Sequence, residues 1–237
     1  QNKSYLNYAI QLFNDIRTAE IRDPQSHTRG IWWSNKHTGA ATASNMGPVI
    51  TAGMLYRLTQ RIEYLDFAQR VYKYWYDNMV IHSTAQVVDF LQPDGKKNTV
   101  PLTYDQGLAI GASLTLYKLT GQPSYLKQSK AYAEFVMNKM SNNGVLAEAV
   151  CINRVGECRK NIDLVQFKGI TFLYLVKLVQ EVPSLTKLHS FLDRTAQSLW
   201  QNARNPNSGL FAHEWDGTDR AAFDAFPSAS SAALALG

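Results

Sequence analysis

Two adjacent tryptophans, Trp32 and Trp33, follow Gly30 in a stretch without helical periodicity, and Asn35 and Asn45 stand just beyond them. Aromatic rings held out on a loop can stack on the apolar face of a sugar, and carboxamides hydrogen-bond hydroxyls as donor or acceptor. Adjacent side chains also point opposite ways along extended chain, so the pair suits one ring in the core as well as two in a site. Asn45, just ahead of Met46-Gly47-Pro48, equally suits a helix N-cap with Pro48 in the first turn. A second cluster, Thr103-Tyr104-Asp105-Gln106, opens an apolar helical segment at Gly107. There Thr103 can cap and Asp105 can complement the helix dipole, while three polar side chains in a row at a loop-to-helix junction suit a polar ligand. Asp89 lies in the apolar run Val87-Val88-Asp89-Phe90, a setting that perturbs a carboxylate. Lys168, after Phe167, sits early in a largely apolar helix, where its ordinary role is a snorkelling surface residue. Trp215 is a further aromatic on a connecting segment, and Glu148 and Glu214 are further carboxylates. Aromatic, amide and carboxylate groups in this mixture are the materials of a carbohydrate cleft.

Other chemistries find little support. The five histidines, His27, His37, His82, His189 and His213, have no spacing that suggests a metal site or a nucleophilic triad. No glycine-rich phosphate loop is present, and no cofactor is expected. The two cysteines, Cys151 and Cys158, close a short loop. They suit a disulfide in an oxidising compartment and two thiols in a reducing one, and the lack of a paired histidine argues against zinc.

The elements that must position these residues come from a repeat. Leu55-Tyr-Arg-Leu-Thr-Gln-Arg-Ile-Glu-Tyr64-Leu65 aligns without a gap on Leu116-Tyr-Lys-Leu-Thr-Gly-Gln-Pro-Ser-Tyr125-Leu126, and Lys3-Ser-Tyr5-Leu6 matches only the second half of the unit. Each full unit predicts a helical hairpin. Val49, Ile50, Met54, Leu55 and Leu58 recur at helical spacing, as do Leu65, Ala68, Val71, Tyr72 and Trp75. Gly121 and Pro123 mark the turn of the second hairpin. A degenerate further copy runs from Phe172 to Val179, through Pro183, and from Leu188 to Trp200. The connections between hairpins, about 17–44, 79–102, 140–161 and 202–223, are long, so one face of the array carries nearly all the irregular chain. Long loops on a rigid scaffold are where sites are built.

Composition fits one domain over residues 1–237. The chain is 45% hydrophobic and 18% charged, with apolar content for a large core and too few charges for disorder. No apolar run approaches bilayer length, and the first residues do not read as a cleavable leader. The net charge of +5 is spread along the chain, which argues against nucleic-acid binding and leaves room for a glycan partner.

Gly30-Ile-Trp-Trp33 with Ser44-Asn45 downstream, Thr103-Tyr-Asp-Gln-Gly107-Leu-Ala-Ile-Gly-Ala112 with Leu116-Tyr117 and Thr120-Gly121, and Phe167-Lys168-Gly169-Ile170 together resemble glycoside hydrolase family 76. These are the endo-α-1,6-mannanases of bacteria and fungi and the related fungal wall transglycosidases. The resemblance runs from Tyr5 to about Leu236, and fungal members are similar also in a paired-cysteine loop ahead of the Phe-Lys. It implies an all-α (α/α)6 toroid, a secreted or cell-wall location, α-mannan or a wall glycan as partner, and a cleft lined by Trp32, Trp33, Asn45, Tyr104, Asp105, Gln106, Phe167, Lys168 and Trp215.

Two departures shape the functional expectation. The family's catalytic pair is an adjacent Asp-Asp placed N-terminal to the first hairpin, and this chain has no Asp-Asp. The family also usually carries Asn at the position of Asp105. The chain therefore reads as most of the substrate cleft of an α-1,6-mannan-active glycosidase or transglycosidase, a toroid that is N-terminally incomplete and completed by an N-terminal fragment or a partner chain. A shortened relative that only binds mannan, and a toroid enzyme of another family using Asp89, Asp105, Glu148 or Glu214, are the alternatives.

Overall fold

The computed structural model describes residues 3–21, 30–152 and 163–218. It is built of helices in hairpins. After α1 (Lys3–Thr18), α2 (Thr42–Thr59) pairs with α3 (Ile62–Met79), α4 (Thr103–Thr120) with α5 (Pro123–Lys139), and α6 (Leu164–Glu181) with α7 (Thr186–Gln201). The last pair is the degenerate copy of the repeat. In the α2–α3 and α4–α5 pairs a left-handed residue ends the first helix, Gln60 at φ 58° and Gly121 at φ 68°, and its amide returns to Tyr56 and Tyr117 respectively. The two copies thus use one cap geometry with different residues.

α4 is the central helix, packed against α2 on one side and α6 on the other. Small residues allow that approach. A Cβ on Gly107 would lie 2.6 Å from the Thr171 Cα, so α4 and α6 meet backbone to backbone at this point. Being covered on both flanks, α2 and α4 bury residues nearly all round, including Ala52, Ala109 and Ala112. α3 instead buries one stripe, Tyr64, Phe67, Ala68, Val71, Tyr72 and Trp75. The Trp75 indole donates to the Thr42 hydroxyl at 2.8 Å, which itself donates to the Val88 carbonyl at 2.7 Å. That chain ties α3, the start of α2 and the loop bearing Asp89 together. α1 docks through Phe13, whose ring meets Tyr64 and Phe67 at 5.3 and 4.9 Å, while Tyr5, Tyr8 and Leu12 stay exposed.

The long connections fold into ribbons of two-residue strands. β1 (Ala40–Ala41) belongs to a sheet with two later strands; β2 (Val80–Ile81) pairs antiparallel with β3 (Gln86–Val87). β4 (Phe90–Leu91) pairs with both β1 and β5 (Lys97–Asn98), and β6 (Ser141–Asn142) pairs with β7 (Val145–Leu146). The β4–β5 hairpin turns at Pro93-Asp94-Gly95, a sequence suited to a tight turn, with Gly95 at φ 85°.

Two helix starts differ from the sequence expectation. α2 begins at Thr42, with the Ala41 amide donating to the Ser44 hydroxyl oxygen, so Asn45 lies inside the first turn and Pro48 falls one turn further in. α4 begins at Thr103 itself, and the residue before it, Leu102, has no side chain able to cap. At α4 the distant Glu148 carboxylate does what a local cap was expected to do, accepting from the Thr103 amide, while at α2 the Ser44 contact is local and the Thr42 amide donates to the Asp89 carbonyl at 2.9 Å.

Candidate functional site

The two ends of the Trp-Trp segment are held by backbone. Trp32 N–H donates to Ala19 at 3.0 Å and Trp33 N–H to Gly39 at 2.8 Å. Asn45 anchors the same segment from below, accepting the Ile31 amide on Oδ1 at 2.9 Å and donating to the Ala41 carbonyl at 2.7 Å. Held this way, Trp33 projects outward and is 57% exposed, whereas Trp32 is half-buried and stacks on His37 at 4.9 Å. The alternation of adjacent side chains separates the two rings.

Asp89 lines the same cleft as Trp33. The Tyr104 hydroxyl donates to its Oδ1 at 2.7 Å and the Asn98 amide to its Oδ2 at 2.8 Å. Burial pushes the Tyr104 hydroxyl well above its ordinary pKa, and the nearby carboxyls of Asp105 and Asp89 push it further, so it remains a donor at all ordinary pH. The Tyr104 ring lies 4.3 Å from that of Phe167 at the start of α6. Trp33, Ala41, Asp89, Phe90, Gln92, Asn98 and Tyr104 line an open cleft of ≈ 460 Å³. It offers an aromatic face, a fixed carboxylate and two carboxamides.

Below this cleft lies a buried polar layer. Glu148, on the segment after β7, accepts the Thr103 amide on Oε2 at 3.1 Å and the Thr103 hydroxyl on Oε1. Burial raises its carboxyl from 4.5 to about 7, against the opposing pull of the Lys168 ammonium and of Thr103. Asp105 is fully buried and raised well above 3.8, first by burial and then by the charge of Asp89. Neither of its oxygens has a hydrogen-bond partner of good geometry among the described residues, although Tyr104 and Asp89 stand close enough to shift it. Lys168 is fully buried with its ammonium 5.7 Å from the Trp215 ring centre. Gln106 is spent on backbone, accepting from Val87 at 2.6 Å and donating to Ala85 at 3.1 Å.

The nine residues implied for the cleft therefore divide. Trp33 and Tyr104 line it, and Phe167 packs on Tyr104. Trp32 faces His37, and Asn45, Asp105, Gln106, Lys168 and Trp215 are buried behind the lining. Asp89, read from sequence as a fallback acid, is part of the lining. Phe90, Gln92 and Asn98 complete the lining and were not singled out from sequence; the Pro-Asp-Gly turn between their strands was the available signal. Cys151 is buried at the end of a short 3-10 turn, and Cys158 lies outside the described residues, as do His27 and the segment 219–237.

Residues 1–235 match glycosyl hydrolase family 76. The chain belongs to that family. Among curated relatives, this family 76 chain is 27% identical over 197 residues to mannan endo-1,6-alpha-mannosidase DCW1 of Candida glabrata, covering 78% of this chain and 43% of the relative. The chain thus spans less than half the length of that protein. Among solved structures, the Lin0763 protein of Listeria innocua superposes with a TM-score of 0.84 at 24% identity, over 99% of this chain and 65% of that one. An inactive variant of the alpha-1,6-mannanase GH76A of Salegentibacter sp. HEL1_6, in complex with alpha-1,6-mannotriose, superposes with a TM-score of 0.80 at 25% identity, over 99% of this chain and 67% of that one. The hairpin array is that of the family's (α/α)6 toroid.

Proposed function

We propose that the chain forms the glycan-binding cleft of a glycosidase or transglycosidase acting on α-1,6-mannan. The observation that carries this reading is the lining itself: an exposed Trp33 ring and a carboxylate that Tyr104 and Asn98 hold in place line one open cleft. A sugar presents an axial C–H face to a ring and equatorial hydroxyls to a fixed acceptor, so a wall of this kind grips a neutral polysaccharide without needing charge. The names of the similar proteins, a mannan endo-1,6-alpha-mannosidase and an alpha-1,6-mannanase bound to a mannotriose, support mannan as the polymer. Such a polymer fits a secreted or cell-wall protein, and an oxidising compartment suits a Cys151–Cys158 disulfide. Calorimetric titration of α-1,6-mannotetraose tests the reading. Binding by the parent chain that is lost in both Trp33→Ala and Tyr104→Ala is the expected result, and unchanged affinity in both variants would overturn the cleft assignment.

A further inference from the structure

The head of α4 is held from outside the cleft, by groups with no access to a bound glycan. The Thr103 amide and hydroxyl both donate to the Glu148 carboxylate, and the Thr103 carbonyl accepts the Thr171 hydroxyl from α6. Glu148, Thr103 and Thr171 are all fully buried. The next residue along is Tyr104, which orients Asp89, and the one after that is Asp105. A shift at Thr103 is therefore passed to the cleft wall through one peptide unit. Helix heads leave unpaired amides that favour a negative charge, and here a carboxylate from a distant loop supplies it in place of a local cap.

We infer that Glu148 is a positioning residue for the cleft: by clamping Thr103 at the head of α4, beside Lys168 and Thr171 of α6, it fixes where Tyr104 and Asp89 stand towards the glycan. This rests on the glycan-binding reading above. The groups facing Glu148 are Lys168 from α6, Asp105 from α4 and Glu214 from the segment after α7, with Glu214 itself 2.7 Å from His213 Nδ1. Lys168 favours the carboxylate, whereas Glu214 opposes it, and the Glu148 charge in turn raises Asp105. The balance puts its titration near neutrality, at about 7. The clamp is stronger when the carboxylate is charged, because both Thr103 contacts are then charge-assisted.

The test uses the whole chain and Glu148→Gln, which keeps the side-chain shape and removes the charge. In the parent, affinity for α-1,6-mannotetraose strengthens as pH rises through about 7, and the Thr103 amide resonance titrates with the same midpoint. In Glu148→Gln the Thr103 titration disappears, the affinity loses that pH dependence, and binding above neutrality weakens about tenfold, the worth of one charge-assisted hydrogen bond. Should that variant fail to fold, Thr103→Ala removes one contact that favours the carboxylate, and its midpoint rises. A folded Glu148→Gln with parental affinity and a surviving Thr103 titration, or an unmoved midpoint in Thr103→Ala, overturns the clamp. Absence of mannotetraose binding by the parent overturns the glycan reading alone, and the clamp is then decided by the Thr103 amide.

Discussion

The Tyr104 hydroxyl donates to Asp89 Oδ1 across 2.7 Å, joining the first turn of α4 to the loop that precedes β4. This bond fixes a carboxylate that lines the cleft with Trp33 while keeping the phenol a pure donor. Removing the hydroxyl in Tyr104→Phe leaves the ring packed on Phe167 and frees one carboxylate oxygen. We expect folding stability to fall by about 1 kcal/mol. Mannotetraose affinity should fall about tenfold, as expected when a wall carboxylate loses its fixed direction. Urea unfolding and calorimetry check the two effects separately.

Stability should depend on pH through Glu148. Its folded carboxyl holds a proton up to about 7, while the unfolded chain releases it near 4.5. Between those values the folded state binds more protons, so stability falls as pH rises through the window and is lowest above it. The full difference is about 3 kcal/mol, and Asp105 acts in the same direction. Urea midpoints measured in mild acid and in mild base should show the parent losing stability with rising pH and Glu148→Gln losing much less.

The close approach of α4 and α6 predicts a large effect from one methyl group. Gly107→Ala would place its Cβ 2.6 Å from the Thr171 Cα, a backbone atom that cannot swing aside. A loss of about 1–3 kcal/mol is expected. The reverse holds at the α2 cap, where Gln60 carries a left-handed φ of 58° that glycine adopts freely. Gln60→Gly should stabilise by up to about 1 kcal/mol. Thermal unfolding of the two variants reads both signs.

The hairpins were legible because their apolar spacing repeats and because the Tyr56 and Tyr117 copies of the turn align. The candidate site was legible only in part. Trp33, Asp89 and Tyr104 could be found as aromatic or acidic groups at loop edges. Asn45 and Gln106 share that polar signature, yet they are buried because each end of a long connection needs internal anchors for its backbone, and Lys168 is buried instead with its ammonium over the Trp215 ring. Polarity alone does not separate an anchor from a contact. Glu148 could not be read as the α4 cap, since forty-five positions separate it from Thr103 and nothing local marks the pairing.

These 237 residues alone should not hydrolyse mannan. Cleavage of a glycosidic bond needs two carboxyl groups flanking it, one to protonate the leaving oxygen and one to attack the anomeric carbon or activate water on the opposite face. Among the described residues the cleft wall offers one, Asp89, which is held by Tyr104 and Asn98, and Asp105 and Glu148 are buried. A reducing-sugar assay on α-1,6-mannan should show no turnover by this chain. Turnover abolished by Asp89→Asn would instead place catalysis within it.

The most direct measurement is an amide and indole correlation spectrum recorded as α-1,6-mannotetraose is added. The chain has five tryptophans, each with its own indole signal. The Trp33 indole and the Asn98 side-chain amide should move, while the buried Trp75 and Trp215 indoles and the Gln106 side-chain amide stay in place. Movement centred on Trp215, with Trp33 unaffected, would contradict the cleft assignment.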